Sequence, residues 1–197
     1  MSAPMIAAGV GLMVVCSSSS AAAMMMGGGE ETSAAATTPT TSTTPSGPVL
    51  PKAQYVKVER PTGNYPGNII NLAEIEVFDK AGTNIALNAT VTGGPGVHGG
   101  GPFANLTDGN FGNWAHTNKN GIPFMTIDLG AVKEIAKVVI TNRAGSSAVT
   151  NRLKDAKLIL LDASSTAVKT TAVIDTTKSK ITYDFNVATP AWVYADA

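Results

Sequence analysis

An all-β sandwich or jelly roll is predicted for residues 52–197 of this 197-residue chain, from three observations. Short β-rich runs follow one another from Tyr55 to Phe185. Clusters of Gly, Asn, Pro and Asp separate them at roughly 8–15-residue spacing, the rhythm of strands joined by turns. No window carries a helical apolar stripe of useful length.

The elements follow in order. Tyr55-Val-Lys-Val-Glu59 alternates apolar and polar residues with period two, as a strand with one buried face does. Ile75-Glu-Val-Phe78 repeats that pattern, and Asp79-Lys-Ala-Gly82 supplies turn residues after it. Phe124-Met-Thr-Ile-Asp-Leu129 is a strand that stops at Gly130. The runs Ile135–Ile140, Ala156–Leu161, Ala167–Ile174 and Ile181–Phe185 complete the series.

The first 51 residues are of another kind. Residues 1–29 hold no charged side chain, and an eleven-residue apolar run, Met5–Val15, is followed by blocks of Ser, Ala, Met and Gly. Three readings stand open. The segment is a secretory signal, although it has no Lys or Arg at its start. It is a membrane anchor, although the run is short of the ~20 residues that cross a bilayer. Or it is an uncleaved segment that packs between subunits of an assembly, where small residues allow close backbone approach. The homopolymeric runs are similar in style to the N-termini of virion proteins from large DNA viruses. Residues 30–51, rich in Thr, Ser and Pro, form a linker with too little apolar surface to fold.

Charge gives no support to one class of partner. Fourteen basic and fourteen acidic residues cancel over the chain, and setting aside Glu30 and Glu31 leaves the domain at +2. No clustered Lys and Arg suggest a nucleic-acid footprint. The sole cysteine, Cys16, lies outside the domain, so the sandwich holds together without disulfides.

Chemistry-bearing residues gather at strand ends: Asn105-Leu-Thr-Asp-Gly-Asn110, Trp114-Ala-His116-Thr, Thr126-Ile-Asp-Leu-Gly130, Thr141-Asn-Arg143, and Arg152. The layout suits gripping a small polar ligand or a metal. The order of these pieces resembles the fucolectin-like branch of the discoidin, or coagulation-factor C-type, domains over roughly residues 55–197.

That resemblance implies a jelly-roll, galactose-binding-like sandwich. It also implies a permuted chain. Asn71–Phe78 looks like the strand that usually closes the domain, Asn84–Val91 like the usual opening strand, and Ala188–Tyr194 would return near Tyr55. In the family a sugar is held by one histidine and two arginines, which correspond here to His116, Arg143 and Arg152. Arginine presents a fixed fork of donors and histidine a directed hydrogen bond. Trp114 or Phe111 would pack on the sugar's apolar face. The family's cysteines between the two arginines are replaced by Ala144–Val149. The plainer alternative makes the arginines solvated loop charges and His116 a turn residue.

A second, metal-like set follows. Asn105, Asp108 and Asn110 offer side-chain oxygens within six residues. The family pattern adds Glu74 and the backbone carbonyls of Asn113 and Trp114 for a structural calcium ion, which takes six to eight oxygens. The alternative is an Asx-rich turn with no ion.

An enzyme is not expected. His98 sits in a glycine-rich stretch without a strand-to-helix setting, and there is no nucleophile elbow or paired carboxylates. Two functions remain in view. One is a calcium-supported binding module for fucose-like carbohydrate or glycoprotein, surface-displayed or virion-associated, or else secreted. The other is a minor structural protein of a large assembly such as a viral capsid, using the sandwich to contact neighbouring subunits. Residues 1–29 could in either case touch a membrane.

Overall fold

The computed structural model describes residues 47–61, 68–119, 121–187 and 192–195, the last four as backbone. Residues 1–29 and the linker as far as residue 46 lie outside the described residues, so the readings made of them do too.

Two five-stranded antiparallel sheets pack face to face. The first has the order β3-β5-β1-β7-β8, formed by β1 (Lys52–Glu59), β3 (Thr90–Gly94), β5 (Phe124–Glu134), β7 (Lys157–Leu161) and β8 (Ala167–Val173). The second has the order β10-β9-β6-β2-β4, formed by β2 (Asn71–Phe78), β4 (Ala115–His116), β6 (Lys137–Asn142), β9 (Lys180–Asp184) and β10 (Trp192–Ala195). Between β6 and β7 lie one helical turn, α1 (Ser147–Thr150), and a 3-10 turn, Asn151–Leu153. Among the described residues no helix is long and apolar enough to cross a membrane.

Alternation in the sequence builds the core. Val56 faces Ile127 on one side and Leu160 on the other, and Val58 faces Met125 and Leu158; all six side chains are buried. On the second sheet Ile75 pairs with Ile140, which pairs in turn with Ile181. Period-two burial of β-branched and aliphatic side chains on both inner faces is what joins two sheets into a sandwich.

Three expectations need correction. Asn84–Val91 is not a strand throughout. Asn84 makes an isolated bridge to Phe78, Asn88 takes a positive φ of 59°, and regular pairing starts only at Thr90. The Asn84 side chain explains the turn, because its Oδ1 accepts from the amides of Val77 and Ala86 and so competes with ladder bonds. The C-terminal strand does not return to Tyr55. Residues 188–191 lie outside the described residues, and Trp192–Ala195 pairs with β9 at the edge of the opposite sheet. Finally, β5 does not stop at Gly130. Its pairing with β1 breaks after Asp128, where Gly130 takes a φ of 76°, and resumes at Lys133.

Candidate functional site

The predicted ligand residues come together at one end of the sandwich. His98, Gly99, Gly100, Gly101, Trp114, His116, Arg143 and Arg152 line a cleft of about 310 Å³. Each arrives on a different support. His116 is on β4, the two-residue edge strand opposite Asn71 of β2. Arg143 follows the last residue of β6, and Arg152 sits in the 3-10 turn after α1. The Ala144–Val149 loop, without cysteines, thus delivers Arg152 through a short helical turn.

Backbone pairing locks His116. Its amide donates to the Gly101 carbonyl at 2.9 Å, and its own carbonyl accepts from the His98 amide at 3.0 Å. The Thr117 hydroxyl accepts from the Ile70 amide at 2.9 Å, tying β4 to the start of β2. The imidazole Nδ1 donates to the Thr117 carbonyl at 2.6 Å, and Nε2 faces the Arg152 Nη1 at 3.1 Å. A carbonyl can only accept and a guanidinium can only donate, so the ring is neutral with its proton on Nδ1. Burial, together with the charge of Arg152, holds the His116 pKa below the ordinary histidine value. Its ring stands 4.6 Å from that of His98, tilted by 35°.

Arg143 is fixed by two contacts. Its guanidinium lies 3.7 Å from the centre of the Trp114 ring, and its Nη1 donates to Asn71 Oδ1 at 3.1 Å. Asn71 is fully buried, and its Nδ2 donates to the Ala115 carbonyl at 3.0 Å, so one amide aligns Arg143 with β4. One face of Trp114 is therefore covered by Arg143. Phe111, the other aromatic considered, is not part of the cleft: it is half exposed, with Lys180 over its ring at 5.2 Å.

Sequence reasoning missed three contributors. His98 forms a wall, although its glycine-rich stretch offered no motif. Asn71 orients Arg143 from inside a strand. Arg60, at 1 % exposure, donates from Nη1 to the Arg152 carbonyl at 3.1 Å and props that loop from behind. Only Gly93–Gly101 carried a hint, because such a run permits close backbone approach. Gly101 shows the effect: a Cβ there would sit 2.7 Å from the His116 Cβ and 3.1 Å from Trp114 Cδ1. Gly101→Ala should therefore push β4 from its position and lower stability by about 1–3 kcal/mol. Urea unfolding would check this, and an unchanged midpoint would refute it.

The second predicted set lies beside the Asp108 loop. Glu74 is fully buried, and its Oε1 accepts from the Gly109 amide at 3.1 Å. Asp108 Oδ1 accepts from the Asn110 amide at 2.8 Å and Oδ2 from Asn113 Nδ2 at 2.7 Å. Asn110 Oδ1 accepts from Gly112, and Asn105 Nδ2 donates to the Trp114 carbonyl at 3.0 Å. Glu74 Oε2 and Asn113 Oδ1 are buried without a hydrogen-bond partner. Among the described residues no three His, Cys, Asp or Glu side chains cluster to hold a metal, since only Glu74 and Asp108 here are carboxylates. A hard oxygen-seeking cation draws on amide and backbone oxygens as well. Burial pushes the Glu74 pKa up to about 7, with the charges of Asp108 and Glu76 acting in the same direction against the Gly109 amide.

Two antiparallel sheets packed as a sandwich, with a histidine, two arginines and a tryptophan around one cleft, are consistent with a galactose-binding-like fold. Residues 105–192 match the family model described as a NedA-like, galactose-binding domain of the F5/F8 type C group, which supports a discoidin-like domain over that span. The matched span contains the Asn105–Asn110 loop, Trp114, His116, Arg143 and Arg152, whereas Glu74 and His98 precede it. Galactose-binding-like domains are typically non-catalytic binding modules, and the match suggests carbohydrate as the ligand class. No curated protein and no solved structure matches the chain.

Proposed function

We propose that this chain is a non-enzymatic, calcium-supported carbohydrate-binding protein that grips its sugar in the cleft of His116, Arg143, Arg152 and Trp114. One observation carries the reading. Four residues from three separate stretches of sequence line a single open cleft of about 310 Å³. Solvated loop charges have no reason to converge, and concave sites with a few aimed polar groups are where small ligands bind. The residues act by orienting and holding: the arginine forks donate to sugar oxygens, and His116 keeps Arg152 in place.

The calcium part of the proposal rests on the two orphaned oxygens, Glu74 Oε2 and Asn113 Oδ1, which a cation would satisfy. Glu74, Asp108, Asn105, Asn110, the Asn113 side-chain oxygen and the backbone carbonyls of Asn113 and Trp114 would hold it. The ion would stiffen the loop that leads into Trp114 and His116. Residues 30–51 serve in this reading as a stalk and residues 1–29 as the anchor or assembly segment that puts the domain on a surface.

Calorimetric titration of the full chain with L-fucose and galactose, first with calcium and then with EDTA, tests the proposal. Saturable heat that weakens in EDTA is expected. Silence with both sugars and with their charged counterparts would end the carbohydrate reading.

A further inference from the structure

The hydrogen-bonding groups of the cleft are unequally supplied. Arg143 and Arg152 are both only partly exposed, and among the described residues neither is paired with a carboxylate. Each already uses one Nη1 within the wall, on Asn71 Oδ1 and on His116 Nε2. Those two contacts consume the side-chain acceptors of Asn71 and His116. Trp114 can offer only an N–H, and His98, which is exposed, retains the one uncommitted ring acceptor. What faces the ligand is a set of donors around two neighbouring positive charges.

A neutral sugar can meet that wall with its hydroxyl and ring oxygens, but it leaves the two neighbouring cations unneutralised. Every hydroxyl brings a donor proton as well as lone pairs, and the guanidinium donors can use only the lone pairs. A carboxylate or sulfate carries acceptors only, fits the planar guanidinium fork, and relieves the repulsion between the two cations. We infer that the cleft takes the charged substituent of an acidic sugar, a carboxylate or a sulfate, between Arg143 and Arg152. This rests on the reading of the cleft as a carbohydrate site and narrows its ligand class. The Arg143 stack on Trp114 then sets the plane in which the anion is received, and the open space beside Gly99 and Gly100 accommodates the rest of the ring.

The test pairs each sugar with its charged counterpart. The full chain is titrated with galactose and galacturonate, and with L-fucose and sulfated L-fucose, at low and at high salt. At low salt the charged member of at least one pair should bind about ten-fold more tightly or better, and the gap should narrow as salt screens the arginines. In Arg152→Gln, with folding verified by its unfolding midpoint, the gap should shrink to about two-fold. Equal affinities within both pairs, or a preference for the neutral member, would overturn the inference while leaving the carbohydrate reading intact. Binding of none of the four would remove both.

Discussion

Arg143→Ala is expected to weaken sugar binding about 100-fold or abolish it, the largest single effect in the cleft. The guanidinium is held by Asn71 on one side and the Trp114 ring on the other, so it reaches a ligand already oriented. Charged hydrogen bonds to a bound group are worth about 1.5–3 kcal/mol, and a tenfold change in affinity is ~1.4 kcal/mol. Removal also strands the buried Asn71 Oδ1, so a modest loss of stability should accompany the loss of binding. Arg143→Lys separates the two causes. It keeps the charge but lacks the planar fork and the stack, and should recover only a small part of the affinity. Calorimetry on both variants decides: an Arg143→Lys protein that binds like the parent would mean that charge alone matters.

The second large effect concerns Glu74 and calcium. In the metal-free domain this carboxyl titrates at about 7 rather than near the ordinary 4.5, chiefly because it is buried. Between those two values the folded protein holds a proton that the unfolded chain has released. Folding therefore takes up protons there, and metal-free stability should fall as pH rises from about 4.5 to about 7 and level off above that. Calcium acts oppositely. It needs the ionised carboxylate, so its affinity should climb with pH through the same window. At pH 8 and about 100 times its dissociation constant, calcium should add ~2.7 kcal/mol of stability, and much less at pH 5. Glu74→Gln should flatten the metal-free pH slope and erase the calcium gain, while its amide oxygen still accepts from Gly109. Thermal unfolding across pH, with calcium and with EDTA, reads all of this. A calcium gain equal in parent and variant would remove Glu74 from the ion site.

Much of the fold was legible along the chain because strands announce themselves locally. Val56 and Val58 alternate with Tyr55, Lys57 and Glu59, and that pattern alone places one face inward. The failures came where a side chain competes with the backbone, as Asn84 does, or where pairing depends on a distant partner, as with Trp192–Ala195. The Gly130 break was visible as a turn residue. That β5 resumes beyond it depends on Ala53 and Lys52, more than seventy residues earlier, being there to pair.

The same division holds for the site. The resemblance of the loop motifs to the fucolectin-like branch marked His116, Arg143 and Arg152 as candidates, with Trp114 as an available ring, and their donors and rings suit that chemistry. Composition offered no argument for a nucleic-acid surface on equally local grounds. Convergence is another matter. Whether Arg152 reaches His116 depends on the 3-10 turn after α1 and on buried Arg60 behind it, and neither has a local signature. The tertiary structure also decided that His98 walls the cleft, that Arg143 covers Trp114, and that the histidine lone pair is already taken. Residue types and periodicity are properties of neighbours in sequence. Which lone pairs stay open to a ligand is a property of neighbours in space, and only packing of the two sheets brings those together.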